Sequence, residues 1–239
     1  MKITEYENDL KYEVPPMRCD KVIKSTIKDP LPNMSHYMAV IGKPGSGKTS
    51  LEMAMLTHPD FYSKCFHNVF LVMPKTSRAS LPGDPFKDHP EHKLFDELTE
   101  TCLGFVLEYC RIASEANQWS LLVMDDVAAE LKNNNIQKLL KHIIYNRRHL
   151  KLSIHILSQS YNAMPLAIRK ALSHCVLFKP ANKKELEAVF TELMYQTKEQ
   201  QEALSHHCFP EGQSHNLMFL DCSKGHIHKN FNRIELSET

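Results

Sequence analysis

The residues from Gly42 to Thr49 read GKPGSGKT, a spacing of glycine, lysine and threonine that suits the binding of phosphate groups. In this G-x-x-x-x-G-K-[ST] pattern, glycines let the backbone turn its N–H groups towards phosphate oxygens. The lysine supplies charge for the β- and γ-phosphates, and the threonine hydroxyl is a ligand for Mg²⁺. The pattern therefore predicts an ATP site formed by Gly42, Lys43, Pro44, Gly45, Ser46, Gly47, Lys48, Thr49 and Ser50.

Two adjacent carboxylates, Asp125 and Asp126, follow an apolar run in SLLVMDDVAAEL. A strand that carries a carboxylate to the carboxyl edge of a sheet can hold Mg²⁺ beside the threonine of the phosphate loop. We predict this role for Asp125, with Thr49 as the second metal ligand. Asp126 is the predicted general base that orients the attacking water. The alternative is an aspartate pair that simply caps a following helix.

A third polar side chain, Gln159, ends the apolar run in SIHILSQSY. If the strand at 154–157 lies between the strand before the phosphate loop and the strand before Asp125, its carboxyl end points at the γ-phosphate. An amide at that position can hydrogen-bond the phosphate and the attacking water without adding charge. We therefore predict that Gln159 senses the γ-phosphate, the alternative being an ordinary loop residue.

Apolar, strand-like runs alternate with helix-length segments along the chain. The predicted strands are 37–41, 69–73, 121–124, 154–157 and 175–178, and the predicted helices are 49–56, 103–118, 136–150, 165–172 and 185–194. Continuous apolar runs fit strands that are covered on both faces, so the alternation predicts an α/β fold with a mostly parallel central sheet flanked by helices. Near the end, 216–221 and 227–234 flank a turn with Gly225 and predict a β-hairpin.

The chain has 239 residues, enough for a sizeable core. Prolines punctuate its start, so residues 1–35 are predicted to form an extended N-terminal segment. Residues 36–239 are predicted to form one domain, with the core motifs in 36–180 and C-terminal helices and the hairpin in 181–239. A polar stretch from 74 to 90 contains four prolines, and loops of this length are usually functional or disordered.

Composition excludes several classes of protein. The chain is 42% hydrophobic and 24% charged with a net charge of +1, so any basic surface for nucleic acid must be local. No apolar run approaches the roughly 18–20 residues of a membrane span, which predicts no membrane partner. Seven cysteines without a C-x-x-C pair suit a reducing compartment. We therefore expect a soluble, intracellular protein.

The motifs GKPGSGKT, SLLVMDDV and NRRHLKLSIHILSQSYNAMPLAIRKALSHCVLF together resemble the genome-packaging ATPases of large DNA viruses and virophages, compact members of the FtsK–HerA superfamily. The resemblance extends over roughly residues 36–180. It implies a RecA-like ASCE P-loop NTPase that hydrolyses ATP and assembles into a homo-oligomeric ring, a pentamer or hexamer. It also implies translocation of double-stranded DNA into a preformed capsid, through its portal vertex, at the viral assembly site. Asp126 stands where relatives often have glutamate.

Ring ATPases place an arginine of one subunit beside the γ-phosphate bound by its neighbour. The candidates are Arg147, Arg148 and Arg169. Arg147 falls within the apolar stripe of the helix predicted at 136–150 and Arg148 at its edge, which suits either a docked structural arginine or one that reaches a neighbour. We predict that at least one of the three acts in trans.

The opposite face of that helix could be a DNA-facing stripe, but we favour a solvated helix face. Its residues are Lys138, Lys141, His142, Tyr145 and His149.

Two other functions fit the same motifs. A nucleotide or polynucleotide kinase would usually carry an arginine-rich lid, whereas 74–92 holds one arginine and two lysines. A non-hydrolysing assembly factor switched by ATP would bind nucleotide without turnover. A GTPase is disfavoured because NKKE at 182–185 ends in Glu185 where guanine recognition requires aspartate, and Asn182 is better interpreted as a helix cap.

Histidines and cysteines gather in the last forty residues, where they could bind Zn²⁺. No tight C-x-x-C or H-x₃-H spacing is present, so we favour ordinary hairpin residues over a zinc site. The residues are His206, His207, Cys208, Cys222, His226 and His228.

Overall fold

A single nine-stranded sheet runs through the part of the chain that the computed structural model describes, residues 27–79, 81, 86–180, 182–212 and 215–235. Its strands are β1 (Tyr37–Ile41), β2 (Asn68–Val72), β3 (Leu94–Phe95), β4 (Ser120–Asp125), β5 (Leu152–Ser158), β6 (His174–Phe178), β7 (Leu217–Asp221), β8 (His226–Lys229) and β9 (Asn232–Ile234). They lie in the order β3-β2-β4-β5-β1-β6-β7-β8-β9. All neighbours from β3 to β6 are parallel, and β7, β8 and β9 add antiparallel. The predicted α/β fold with a mostly parallel sheet is confirmed.

Helices cover both faces of the sheet. They are α1 (Lys48–Thr57), α2 (Lys75–Ala79), α3 (Glu100–Glu115), α4 (Asn134–Asn146), α5 (Leu166–Arg169), α6 (Lys183–Leu193) and α7 (Lys198–Cys208). Short 3₁₀ turns lie at Glu91–Lys93, Glu130–Lys132 and Tyr161–Ala163. No helix in the described ranges combines the length and the apolar character that a membrane crossing requires.

Side-chain caps set where four of these helices begin, and the cap of α7 is Thr197. The Thr99 hydroxyl accepts a hydrogen bond from Cys102 N (3.1 Å), so α3 starts three residues earlier than the apolar pattern predicted. The Asn133 side chain caps α4, and Asn182 accepts from Glu185 N at 2.9 Å to cap α6. The interpretation of Asn182 as a helix cap is therefore confirmed.

The two faces of the sheet alternate along each strand and carry separate cores. On β4, Leu121 and Val123 pack into the core under α1, and on β5 Leu157 does the same. The neighbouring even-numbered residues of both strands pack on the other side, with α3, α4, α6 and α7. Because side chains alternate in a strand, Asp125 and Gln159 are placed on the α1 face.

The predicted C-terminal β-hairpin is confirmed, because β7 and β8 pair antiparallel around a turn that contains Gly225, but its second segment is divided. Asn230 and Phe231 both have positive φ, 49° and 68°, and turn the chain back on itself. The segment predicted as one strand over 227–234 is therefore two short strands, β8 and β9, which pair with each other. The predicted helix at 165–172 is also shorter, because only Leu166–Arg169 is α-helical.

The predicted N-terminal segment 1–35 lies outside the described residues up to residue 26. From residue 27 onwards it packs against the domain, where the Tyr62 hydroxyl donates to Pro32 O at 2.9 Å. The stretch predicted as a loop after β2 contains the short helix α2, whose Ser77 lies beside Lys48 and Asp125 at the carboxyl edge of the sheet.

Candidate active site

The phosphate loop connects β1 to α1 at the carboxyl edge of the sheet. Gly45 and Gly47 have φ values of +76° and +99°, a region that side chains with a Cβ rarely adopt. Gly42 is required for space instead, because a Cβ there would lie 2.5 Å from Ser46 Oγ and 2.9 Å from Phe178 Cβ. The three glycines therefore permit the loop for two different physical reasons.

The Lys48 ammonium lies across the mouth of this loop. It donates to Gly42 O at 2.6 Å and to Lys43 O at 3.1 Å. Partial burial lowers the pKa of Lys48, and the carboxylates of Asp125 and Asp126 oppose that shift. The carbonyls of the loop thus hold the Lys48 ammonium at the position where phosphate oxygens are expected to bind.

Asp125 and Thr49 meet directly, although 76 residues separate them in the sequence. Thr49 Oγ1 donates to Asp125 Oδ2 at 2.8 Å. Burial raises the pKa of Asp125, while the hydrogen bond from Thr49 and the charge of Lys48 lower it. A hydroxyl and a carboxylate are the hard oxygen donors that Mg²⁺ prefers, so these two residues fit the predicted metal.

Asp126 and Gln159 form a second pair at the same edge. Gln159 Nε2 donates to Asp126 Oδ1 at 3.3 Å, and Asp126 is exposed. Asp126 also has a φ of +59°, a conformation that is uncommon outside glycine and often marks a functional site. β5 lies between β1 and β4, the strand order on which the prediction for Gln159 depended.

The two aspartates do not cap the helix that follows them. That helix, α4, begins after Asn133, whose side chain accepts from Asn135 N and Ile136 N. Asp125 instead bonds the hydroxyl of Thr49 on α1, and Asp126 the amide of Gln159. The capping alternative therefore does not describe the contacts of this pair.

A cavity of about 190 Å³ joins these residues. Its lining is Pro44, Gly45, Lys48, Thr49, Ser77, Leu81, Asp125, Asp126, Leu157 and Gln159. Ser77, on α2, and Leu81 were not singled out from the sequence, where the only signal was the proline-rich stretch after β2. Their position depends on how that stretch folds back over the phosphate loop, which no local pattern specifies.

None of the three candidate arginines lines this cavity in its own chain. Arg147 donates to Ser35 O and Ile144 O, both at 2.9 Å, at the amino edge of the sheet where α4 leads into β5. Arg148 beside it is exposed. Arg169 makes two hydrogen bonds of 2.7 Å with the Glu192 carboxylate. Arg147 and Arg169 are thus held by contacts within the chain.

The polar face predicted on the helix at 136–150 is exposed along its length. Its residues, Lys138, Lys141, His142, Tyr145 and His149, are all solvent-accessible in the single chain. Lys141 Nζ lies 5.8 Å from the centre of the Tyr145 ring.

The C-terminal histidines and cysteines lie on separate elements. Cys208 is buried at the end of α7, whereas His226 and His228 are on β8. Among the residues that the structure describes, no group of three or more histidine, cysteine, aspartate or glutamate side chains could hold a metal ion.

The model of the family described as Poxvirus A32 protein matches residues 24–214 of the chain. Among curated proteins, none matches the sequence of this chain.

Solved structures match over most of the chain. B204, the DNA-packaging ATPase from Sulfolobus turreted icosahedral virus, superposes with a TM-score of 0.60 at 12% identity, over 85% of this chain and 98% of that one. The genome packaging NTPase B204 from Sulfolobus turreted icosahedral virus 2, in complex with ATP-gammaS, gives 0.59 at 12% identity over 85% and 98%. EssC (ATPases 2 and 3) from Geobacillus thermodenitrificans gives 0.52 at 12% identity over 78% of this chain and 38% of that one. At these identities the likeness shows the fold, and the RecA-like P-loop prediction is confirmed.

Proposed function

The chain belongs to the poxvirus A32 protein family, as its resemblance to viral genome-packaging ATPases predicted, and we propose that it hydrolyses ATP to move double-stranded DNA into a preformed capsid. The observation that carries this proposal is the convergence of Lys48, Thr49, Asp125, Asp126 and Gln159 around one cavity at the carboxyl edge of the sheet. A charge for phosphate, a metal-binding pair and a water-binding pair are the parts that phosphoryl transfer to water requires.

Thr49 and Asp125 are the residues that would hold Mg²⁺. When bound, the ion would neutralise negative charge on the phosphates. Lys48 would exchange the loop carbonyls for those phosphate oxygens, since its ammonium already lies at the mouth of the loop. The backbone N–H groups of the loop and the positive end of α1 would add further hydrogen bonds and favourable charge.

Asp126 and Gln159 would position the attacking water. The water oxygen forms a bond to the γ-phosphorus while the bond from that phosphorus to the bridging oxygen breaks, and the electron pair leaves on ADP. The Asp126 carboxylate accepts the proton of the water. The hydrogen bond between Gln159 and Asp126 supports this division of roles, because a water shared by both would lie next to the γ-phosphate.

A ring of identical subunits, the capsid vertex and the viral assembly site complete the proposal. Support comes from family membership and from the structural match to B204, which is described as a DNA-packaging ATPase. Since the net charge is only +1, contacts with DNA phosphates must come from local basic surfaces, which the ring would bring together.

Long double-stranded DNA is expected to raise the rate of ATP hydrolysis by the assembled protein. Contacts between basic side chains and DNA phosphates release counterions from the DNA. The logarithm of the apparent DNA affinity should therefore fall linearly with the logarithm of the salt concentration. Phosphate release would be measured with and without DNA, alongside native mass, with the Lys48→Ala variant as the control for contaminating ATPases. A monomer whose turnover ignores DNA contradicts a motor. Phosphate transferred to an added nucleotide or polynucleotide end would indicate a kinase, and ATP binding without turnover an assembly factor.

Subunit mixing tests whether an arginine acts in trans. Arg148, the exposed member of the set, is the first variant to make, followed by Arg147 and Arg169. We expect rings of an Arg→Ala variant to lose turnover and to recover part of it when mixed with Asp126→Asn subunits. In mixed rings, an intact arginine of an Asp126→Asn subunit would complete the site of a neighbour that retains Asp126. Full turnover in all three single alanine variants would contradict an arginine in trans.

A further inference from the structure

Three polar side chains are buried in a row between α1 and the sheet, below the phosphate loop. Glu52 and His155 have no exposed surface, and His36 has 4%. Glu52 Oε1 lies 2.7 Å from His155 Nδ1, and His155 Nε2 lies 2.6 Å from His36 Nε2. His36 Nδ1 in turn lies 2.8 Å from Asn33 O. The row therefore joins α1 to β5 and to the segment before β1.

The hydrogens in this row can be assigned by elimination. Asn33 O can only accept, so His36 Nδ1 carries a hydrogen. Burial lowers the pKa of His36 well below its ordinary value, so the ring is neutral and its Nε2 accepts. His155 Nε2 must then donate to His36. The remaining hydrogen bond of the row joins His155 Nδ1 to Glu52 Oε1.

Packing alone is a poor explanation for these residues. Glu52 Oε2 is buried without a hydrogen-bond partner among the described residues, which costs free energy that an apolar side chain would not. Apolar residues of similar volume in place of a buried polar pair are often neutral or stabilising. The Tyr62 ring also stacks on the His36 ring, with the ring centroids 5.4 Å apart.

The Glu52–His155 pair lies on the same two elements, α1 and β5, that lead to residues of the candidate active site. Glu52 lies three residues after Thr49 on α1, so it is one helical turn from the metal-binding hydroxyl. His155 lies four residues before Gln159, and strand alternation places both on the α1 face. The Glu52–His155 bond thus connects the helix that carries Lys48 and Thr49 to the strand that carries Gln159.

We propose that Glu52 and His155 are positioning residues, which hold the Gln159 strand against the phosphate-loop helix so that the Gln159 amide reaches the attacking water. The inference rests on the proposed function, because it acts through the γ-phosphate role of Gln159. A misplacement of about 1 Å at reacting groups can reduce turnover by around 100-fold. The Glu52–His155 hydrogen bond, which we call the strut, links α1 to β5, so its loss should lower kcat measurably.

The test is a double-mutant cycle on ATP turnover. The variant Glu52→Met/His155→Phe replaces both polar side chains by somewhat larger apolar ones and removes the hydrogen bond between them, and is expected to lower kcat by about 10- to 100-fold with little change in the KM for ATP. In a Gln159→Ala background the same change should cost less than about 3-fold further, because Gln159 no longer transmits it. Glu52→Gln should retain most of the turnover, since its amide can donate to His155 Nδ1 while His155 Nε2 still donates to His36.

The matched control is Leu220→Ala, which truncates a fully buried side chain on β7, a strand that β1 and β6 separate from β5. It lowers the melting temperature without touching the row, so its kcat should stay near that of the wild type. If the Glu52→Met/His155→Phe protein does not fold, His36→Phe enters the same cycle, because it leaves Glu52 and His155 in place and removes the acceptor of His155 Nε2 together with the donor to Asn33 O.

Two sets of outcomes separate this inference from the function on which it rests. If Gln159→Ala lowers kcat but the two losses multiply independently, or the strut variants keep wild-type kcat, the positioning role is overturned and the proposed function stands. If the wild type does not hydrolyse ATP, or Gln159→Ala keeps its full kcat, the proposed role of Gln159 fails and the positioning role fails with it.

Discussion

Replacing Asp126 by asparagine is expected to lower kcat for ATP hydrolysis by about 10²- to 10⁴-fold, the usual contribution of a general base. ATP binding should change little, because Lys48, Thr49 and Asp125 remain. Asparagine is the appropriate replacement, since it is among the residues that most readily tolerate the left-handed conformation that Asp126 adopts at a φ of +59°. Single-turnover phosphate release and binding of a non-hydrolysable ATP analogue would separate the two effects.

Asp126→Glu is the matched control for this prediction. It preserves the carboxylate and lengthens its reach by one methylene. We expect it to keep far more turnover than Asp126→Asn. If the asparagine variant hydrolyses ATP at the wild-type rate, the proton of the water goes elsewhere and the role proposed for Asp126 is wrong.

Replacing Lys48 by alanine is expected to reduce kcat/KM for ATP by about 10²- to 10³-fold, the range seen when one donor to a developing negative charge is removed. The ammonium is partly buried and aimed into the phosphate loop, where water screens it less than at the surface. Unlike Asp126→Asn, this variant should also weaken binding of the ATP analogue, because Lys48 contacts phosphates in the ground state as well.

Lys198→Ala provides the control for the loss of one positive charge. Lys198 begins α7 and its side chain is 88% exposed, so neither turnover nor nucleotide affinity should change. Initial rates over a range of ATP concentrations give kcat and KM for both variants. Wild-type binding and turnover in Lys48→Ala would mean that the loop does not bind phosphate in the way proposed.

Much of the site was predictable because its chemistry lies in short sequence patterns. The glycines of the phosphate loop, Lys48 and Thr49 stand within eight residues, and the reasons for each residue type are local. Asp125 was predictable because an apolar run that ends in a carboxylate places it at a strand end. The α/β fold followed in the same way from alternating apolar runs and helix-length segments.

Irregular turns limited the prediction of element boundaries. The division of the last segment into β8 and β9 depends on Asn230 and Phe231 adopting positive φ, which is unusual for phenylalanine and has no clear sequence signal. The start of α3 was predicted late, because the cap by Thr99 extends the helix beyond its apolar stripe. Backbone conformation decided the first boundary and a capping hydrogen bond the second, and hydrophobic periodicity reports neither.

The sequence by itself determined the phosphate loop, the acidic strand end and the fold class, because each depends on residues that are close together in the chain. Only the tertiary structure decided that β5 lies between β1 and β4, which brings Gln159 to Asp126. It alone placed Glu52 against His155, 103 residues away, and paired Arg169 with Glu192. Such contacts depend on the order of strands in the sheet and on which helix covers which face, and no spacing within a single segment specifies either.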